Sequence, residues 1–328
     1  MKKIALIVLL IFCLPLWLGS TSVKWGFYSH RKINHYAVFT LPPAMFGFFK
    51  QNIDYLTEHA IDPDKRRYAT KGEAPRHYID IDHYAKPGED PFASMPRNWN
   101  DAVEKYTEDT LQAYGILPWH INVMVMRLSR AFQDGNVPRI LQLSADLGHY
   151  IGDGHVPLHT TKNYNGYMTN QVGIHGFWET RLPELFDHQY NYFVERAKYV
   201  DYVQDYAWDF VAQSHYAVDS VLRFERELHA EFPEDRKYTF ENRGVTLMQV
   251  YSEEYSRAYE QRLNGMVERR LRASIHAIGS LWYTAWVNAG QPDLLNAPIL
   301  TDEEMELEKI ELEKKFKAGE VKGREHDN

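Results

Sequence analysis

The sequence predicts an all-α fold, a single large multi-helix domain, on three observations. Apolar residues recur at helical spacing in one segment after another. The breaks between those segments carry Pro, Gly and Asn, the residues that stop or start helices. No stretch shows a convincing strand alternation, and no internal repeat is present. The chain has 328 residues, of which 44% are hydrophobic and 14% aromatic, enough for one sizeable core.

Lys2 and Lys3 precede an apolar run from Ile4 to Leu18, which Gly19, Ser20, Thr21 and Ser22 follow. That order is the layout of a secretory signal, so residues 1–24 are expected to be a removed leader and the protein to be exported, periplasmic or secreted. The run is short for a spanning helix, and no stable transmembrane segment is expected after it. The single Cys, Cys13, lies in this run, which excludes a disulfide framework and any Cys-based metal site.

From Trp25 the chain turns helical, with Ile33, Tyr36 and Ala37 in register with His30. Pro42 and Pro43 end that helix or open the next, expected over Ala44 to His59. The stretch from Ala60 to Tyr84 is charged and broken by Pro63, Gly72 and Pro75, and reads as irregular chain crossing the surface. A Pro-rich loop follows over 85–100, then helices over Asp101 to Tyr114 and Pro118 to Phe132. Asn136 or Val137 caps a helix with Pro138 in its first turn and Ile140, Leu143, Leu147 and Ile151 on its apolar side, ending by Pro157. A loop from Thr160 to Gly173 leads to a short helix stopped by Pro183. Tyr206 to Leu228 and Ser252 to Asn288 complete the set, the latter ending at Gly290 and Pro292. Residues 296–328 form a charged tail, in which positions 301–328 hold ten acidic and six basic residues of a chain with net charge −8. No basic stripe stands out, so duplex nucleic acid is not an expected partner.

The chemistry concentrates between Ser144 and Glu179. His149 and Asp153 are four apart, as are His175 and Glu179, so each pair lies on one helix face. His159 follows just past Pro157. His30, His77 and either Asp62 or Asp64 add further donors of the kind divalent zinc takes readily. Several sit beside apolar residues, where an unpaired carboxylate or imidazolium is costly and a shared dication removes the cost. Asp80, Asp82, His83, His120 and His155 are left over as candidate partners that orient the ligands.

The segment H-Y-I-G-D-G-H-V-P-L-H resembles the central motif of the superfamily of zinc-dependent phospholipases C and single-strand nucleases. W-G-F-Y-S-H resembles its N-terminal motif, R-H-Y-I-D its third and G-I-H-G-F-W-E its last, in order from Trp25 to Glu179. L-W-Y-T-A-W fits the C-terminal helix more loosely. The resemblance implies a domain over residues 25–295 with three zinc ions at the bottom of a cleft. One ion would be held by Asp62, His77, His149 and Asp153, and a second by His159, His175 and Glu179. The third would be held by His30, by Asp153 as a bridge, and by the main-chain amine and carbonyl of Trp25. D-P-D-K-R-R aligns equally with Asp64 in the place of Asp62. The Trp25 site requires cleavage after Lys24, an unusual residue before a signal-peptidase cut.

The implied reaction is hydrolysis of a phosphodiester by metal-activated water, with Asp62 placed to take the proton of that water and Asp153 holding paired metals. Arg66 or Arg67 is placed to fork onto the phosphate, and Tyr78 to stack on a base or head group. The spacing of Trp25 and His30 matches the nuclease branch. Glu179, the short loop before His175 and the lack of disulfides match phospholipase C. The expected substrate is therefore a phospholipid or, as the alternative, single-stranded nucleic acid. A zinc-stabilised, non-catalytic binding protein is the reading of another class.

Overall fold

The computed structural model describes residues 26–294 apart from 68, 244 and 245. The leader, Trp25 and the charged tail lie outside the described residues. In chain order the helices are α1 (Phe27–Ala37), α2 (Pro43–Gln51), α3 (Ile53–Glu58), α4 (Asp62–Arg66), α5 (Trp99–Tyr106), α6 (Glu108–Tyr114), α7 (Leu117–Gln133) and α8 (Val137–Gly154). They continue with α9 (Ile174–Gly176), α10 (Leu182–Phe186), α11 (Val203–Glu231), α12 (Glu253–Leu263) and α13 (Met266–Asn288). Among the described residues the fold is all-α but for one antiparallel hairpin, β1 (Tyr238–Arg243) and β2 (Thr246–Tyr251), in which Phe240 pairs with Gln249.

Helix α8 is the element around which the others are laid. Fifteen of its 18 residues are buried, so it has almost no solvent face. Its start is the one expected: the Asn136 side chain accepts from the Arg139 N–H and Pro138 occupies the first turn. Helices α1, α3, α7, α11 and α13 pack against it. Trp282 of α13 donates its indole N–H to the Ser144 carbonyl at 3.0 Å, which ties the long C-terminal helix to α8.

Helix α1 packs tightly against α8, and two glycines of α8 allow it. A Cβ on Gly148 would lie 1.9 Å from Asn34 Oδ1; one on Gly152 would lie 2.7 Å from Ile33 Cδ1 and 2.9 Å from His30 Nδ1. With no side chain there, the His30 and His149 rings stack at 3.9 Å. Asn34 is held in the crossing by donating to the carbonyls of Leu56 and Ala145.

Five expectations are corrected. The single helix expected over Ala44 to His59 is divided at Asn52 into α2 and α3. The stretch from Ala60 to Tyr84 does not cross the surface. It is wound into short helical turns that bury Asp62, Arg67, Glu73, His77 and Asp80. The helix ending at Pro183 instead runs from α9 through a π-helical turn (Phe177–Arg181) into α10, because Pro183 falls in the first turn of α10, where no N–H is needed. The single helix expected over Ser252 to Asn288 is broken at Asn264 and Gly265, both left-handed, so that α11, with 29 residues, is the longest. The helix over Asp101 to Tyr114 is likewise split, at Thr107. The hairpin was not foreseen: of β2 only Val250 is buried, so the strand lacks a half-buried alternation to read.

Candidate metal centre

Three sets of donor atoms converge in the structure: His30, His149 and Asp153; Asp64, His77 and His149; and His159, His175 and Glu179. Within each set the candidate donor atoms lie within 4.8 Å of one another. The sets are neighbours. Asp153 Oδ2 is 2.9 Å from His77 Nδ1 and 3.3 Å from His149 Nε2, while Asp153 Oδ1 is 3.4 Å from His30 Nε2. Glu179 Oε2 is 2.7 Å from His175 Nε2 and 3.3 Å from His159 Nε2, and its other oxygen is 3.6 Å from His30. His30 thus stands between the two carboxylates.

Each side chain is brought in by a local feature. Helix α8 carries His149 and Asp153 on one face. Pro157 starts a tight turn (Pro157–Thr160) that turns His159 back onto the cluster. The π-helical turn keeps Glu179 over His175. The chain after His77 is fixed by the Ile79 N–H bonding to the His159 carbonyl at 2.9 Å.

The imidazoles are oriented from behind. His149 Nδ1 is 2.8 Å from the Ala60 carbonyl and His159 Nδ1 is 2.5 Å from the His77 carbonyl. A carbonyl only accepts, so both rings carry their proton on Nδ1 and turn the Nε2 lone pair inward. His77 is reversed. Its Nδ1 faces Asp153, and its Nε2 has no hydrogen-bond partner but faces Glu73 Oε1 at 3.9 Å.

The electrostatics are those of buried anions that need cations. Burial alone would raise the carboxyls of Asp153 and Glu179, yet the surrounding imidazoles hold both well below the usual carboxylate range. Burial opposes a proton on His30, but its contacts with Asp153 and Glu179 push it up to about 10. Without a metal the cluster must hold protons to stay neutral. Lone pairs converging from imidazoles of fixed tautomer and from ionised carboxylates are the donor set that zinc takes, and these residues fit it.

Asp62 is not in the cluster. Its carboxylate is turned to His59 Nδ1 at 2.5 Å and Lys65 Nζ at 3.0 Å. Asp64 is there instead, 3.7 Å from both His77 Nδ1 and His149 Nε2. The two are two positions apart on one helical turn, so they point to different sides and only one can face inward. Trp25 lies outside the described residues. Gly26, which follows it, lies against the cluster: a Cβ there would come 3.1 Å from Glu179 Oε1.

Of the substrate candidates, Arg66 is engaged with Asp146 at 2.8 Å and approaches Glu73 at 3.8 Å. Tyr78 is buried and directs its hydroxyl at the Ala113 carbonyl, 3.3 Å away. Arg67 is buried. Of the left-over residues, Asp82 accepts from Thr161 Oγ1 and the Lys162 N–H, which steadies the chain just after His159. His83 stacks on Tyr114, His120 lies edge-on to Tyr150, and His155 bonds the Ile151 carbonyl of its own helix. Asp80 is buried, with its N–H on the Tyr114 carbonyl. Glu73 was missed. It is 1% exposed, accepts from the Tyr150 hydroxyl and from Arg76, and stands behind His77. The signal was there, because Glu73 and His77 are four apart, like the other pairs.

A family model described as zinc dependent phospholipase C matches residues 29–232, a span that contains every side chain of the three donor sets. No curated protein is a significant match to the chain. Among solved structures, the alpha toxin from Clostridium absonum shares 13% identity over 84% of this chain, with a TM-score of 0.44. Clostridium perfringens alpha-toxin from an avian strain shares 14% identity over 82%, with a TM-score of 0.40. The chain spans 65% of the length of each toxin chain.

Proposed function

This chain belongs to the zinc dependent phospholipase C family, and from that premise we propose that it is an exported zinc-dependent phosphodiesterase that hydrolyses phospholipids. The observation that carries the reading is the trio of adjoining donor sets, with Asp153 within 3.4 Å of imidazoles from two of them. A single structural metal needs one closed shell and no neighbour, so the trio favours catalysis over a metal that only holds the fold.

In this reading three zinc ions would be held: one by Asp64, His77, His149 and Asp153, one by His159, His175 and Glu179, and one by His30 and Asp153, with Trp25 added as the sequence motif implies. Zinc, when bound, lowers the pKa of water towards neutrality and offsets charge on phosphoryl oxygens. The chain's own groups do the rest. Asp64 has 15% of its side chain exposed, against 0–8% for its partners His77, His149, Asp153 and Glu179. It is therefore the cluster member that solvent reaches, and its carboxylate takes the proton as water attacks phosphorus. The P–O bond to the glycerol oxygen breaks, and that proton passes to the departing alkoxide. His149 and His159, each held by a backbone carbonyl, cannot swing away as charge moves. The charged start and apolar run of residues 1–24 support export.

The test is to incubate zinc-loaded mature protein with phosphatidylcholine and, in parallel, single-stranded DNA. Release of diacylglycerol and phosphorylcholine is the expected result. Cleavage of DNA alone would move the chain to nuclease chemistry. Inertness on both, and on aryl phosphodiesters, with zinc bound would make the metal structural.

A further inference from the structure

The loop from Thr160 to Gly173 joins His159 to His175, and one of its amide side chains is turned wholly inward. Asn165 is 0% exposed. It faces the Gly173 N–H at 3.1 Å and the His175 N–H at 3.4 Å. Both partners are donors, so the atom that meets them is the amide oxygen. His175 is the second residue of α9, and Gly173, just before the helix, has no side chain to cap it. The acceptor for the N–H of a second or third helical residue usually comes from that preceding position. Here it comes from ten positions back in the chain.

The loop is braced around that oxygen. Next to Asn165, the Gly166 carbonyl accepts from the N–H groups of Thr169 and Gln171 at 3.0 and 2.9 Å, which closes a tight turn. Gln171 ties the turn to α11, donating its side-chain amide to the Leu222 carbonyl at 2.8 Å and to Glu225 at 2.6 Å. Its own carbonyl accepts from the Ile174 N–H at 3.0 Å. The main chain around His175 is therefore pinned from the loop side. Where that main chain lies decides where the ring falls, and His175 Nε2 is 2.7 Å from Glu179 Oε2 and 3.1 Å from His159 Nε2. Metal donors must converge to within tenths of an ångström, so groups that orient a ligand act on metal affinity.

We propose that Asn165 is a positioning residue of the metal centre: its amide oxygen fixes the main chain of His175 and so sets the donor group of His159, His175 and Glu179 for a cation. The proposal rests on the zinc-dependent reading above and adds to it a residue that touches no metal. It also gives the loop a task. The chain between the two histidines is held in shape so that the second arrives where the first already stands.

The experiment uses the full mature protein and three variants, each dialysed against buffers of fixed free zinc and read by elemental analysis. Asn165→Ala should need at least tenfold more free zinc to fill its weakest site, with the remaining ions bound as in the parent. Asn165→Asp should recover most of that affinity, since a carboxylate oxygen accepts the same two bonds. Asn163→Ala controls for a merely structural part. Asn163 braces the same loop through the Met168 N–H at 2.8 Å and Thr169 Oγ1 at 3.1 Å rather than through His175, so its loss should lower the urea midpoint and leave the zinc curve in place. Turnover of Asn165→Ala on phosphatidylcholine should return as free zinc is raised. A folded Asn165→Ala whose zinc curve overlays the parent's would overturn the proposal, as would an equal zinc loss in Asn163→Ala. Should Asn165→Ala fail to fold, Asn165→Ser, whose hydroxyl is too short to reach the two N–H groups, is read in the same way. A parent that binds zinc but is inert on the lipid loses only the activity assigned above, because the zinc curves do not depend on turnover.

Discussion

Gly148→Ala should be among the most damaging single-methyl additions to this fold, although alanine is the better helix former. The added Cβ falls 1.9 Å from Asn34 Oδ1 and 2.7 Å from its Cγ, so the amide must leave. It then gives up its bonds to the Leu56 and Ala145 carbonyls, worth about 1 kcal/mol each. Overfilling the crossing of α1 and α8 adds about 1–3 kcal/mol, while removing a helical glycine returns about 0.5–1 kcal/mol. The net is a loss of about 2–4 kcal/mol. Gly47, inside α2, is the control: a Cβ placed there meets nothing within 4 Å, so Gly47→Ala should gain about 0.5–1 kcal/mol. Urea unfolding of the zinc-saturated protein and both variants gives the three free energies. Because the same crossing sets His30 against His149, Gly148→Ala should also bind zinc more weakly. Equal midpoints for Gly148→Ala and the parent would refute the claim that the glycine is what lets the two helices meet.

Asp153→Asn should lose about two zinc ions by elemental analysis and nearly all turnover, since a neutral amide is a poorer ligand in a place that adjoins two donor sets; a full zinc complement would rule out the bridge. Asp64→Asn should lower zinc content and turnover sharply, whereas Asp62→Asn should mainly cost stability through His59 and Lys65, and the reverse outcome would return Asp62 to the site. Glu225→Gln should cost about 3–5 kcal/mol at pH 7, because it leaves Lys237 buried without its partner at 3.0 Å. Burial raises the Glu225 carboxyl, but Tyr255, Gln171 and Lys237 together lower it. Its stabilisation is therefore present above the unfolded carboxyl pKa of about 4.3 and is lost as pH falls through the depressed folded value, so parent and variant should converge below that point in acid unfolding curves.

Much of the centre was legible because its chemistry is periodic. His149 with Asp153 and His175 with Glu179 announce themselves four apart, and the apolar stripe of α8 says which way they face. The choice between Asp62 and Asp64 was not legible. It depends on where the α4 turn starts, a matter of one residue that Pro63 permits either way. Nor was the burial of the chain from Asp62 to Asp80, since charges read as exposed until their partners, such as Asp146 and Tyr150 from α8, are known to lie against them. The hairpin escaped because its fixed points are tertiary. Arg181 grips Glu241, 60 positions away, and Lys237 reaches back to Glu225 on α11.

The donor sets differ in how much chain they enclose. His159, His175 and Glu179 fall within 20 positions, whereas Asp64 and His149 are 85 apart and His30 and Asp153 are 123 apart. Closing the longer loop from Asp64 costs about 1.3 kcal/mol more chain entropy than closing the short one. The short set is also complete without the N-terminal third of the protein. On the proposed three-ion reading the segment from His159 to Glu179 would be the first able to hold a cation, and the other two sets would need α1 and α4 docked on α8. Glu179 would then join the stages, since its second oxygen is the one that meets His30 of α1.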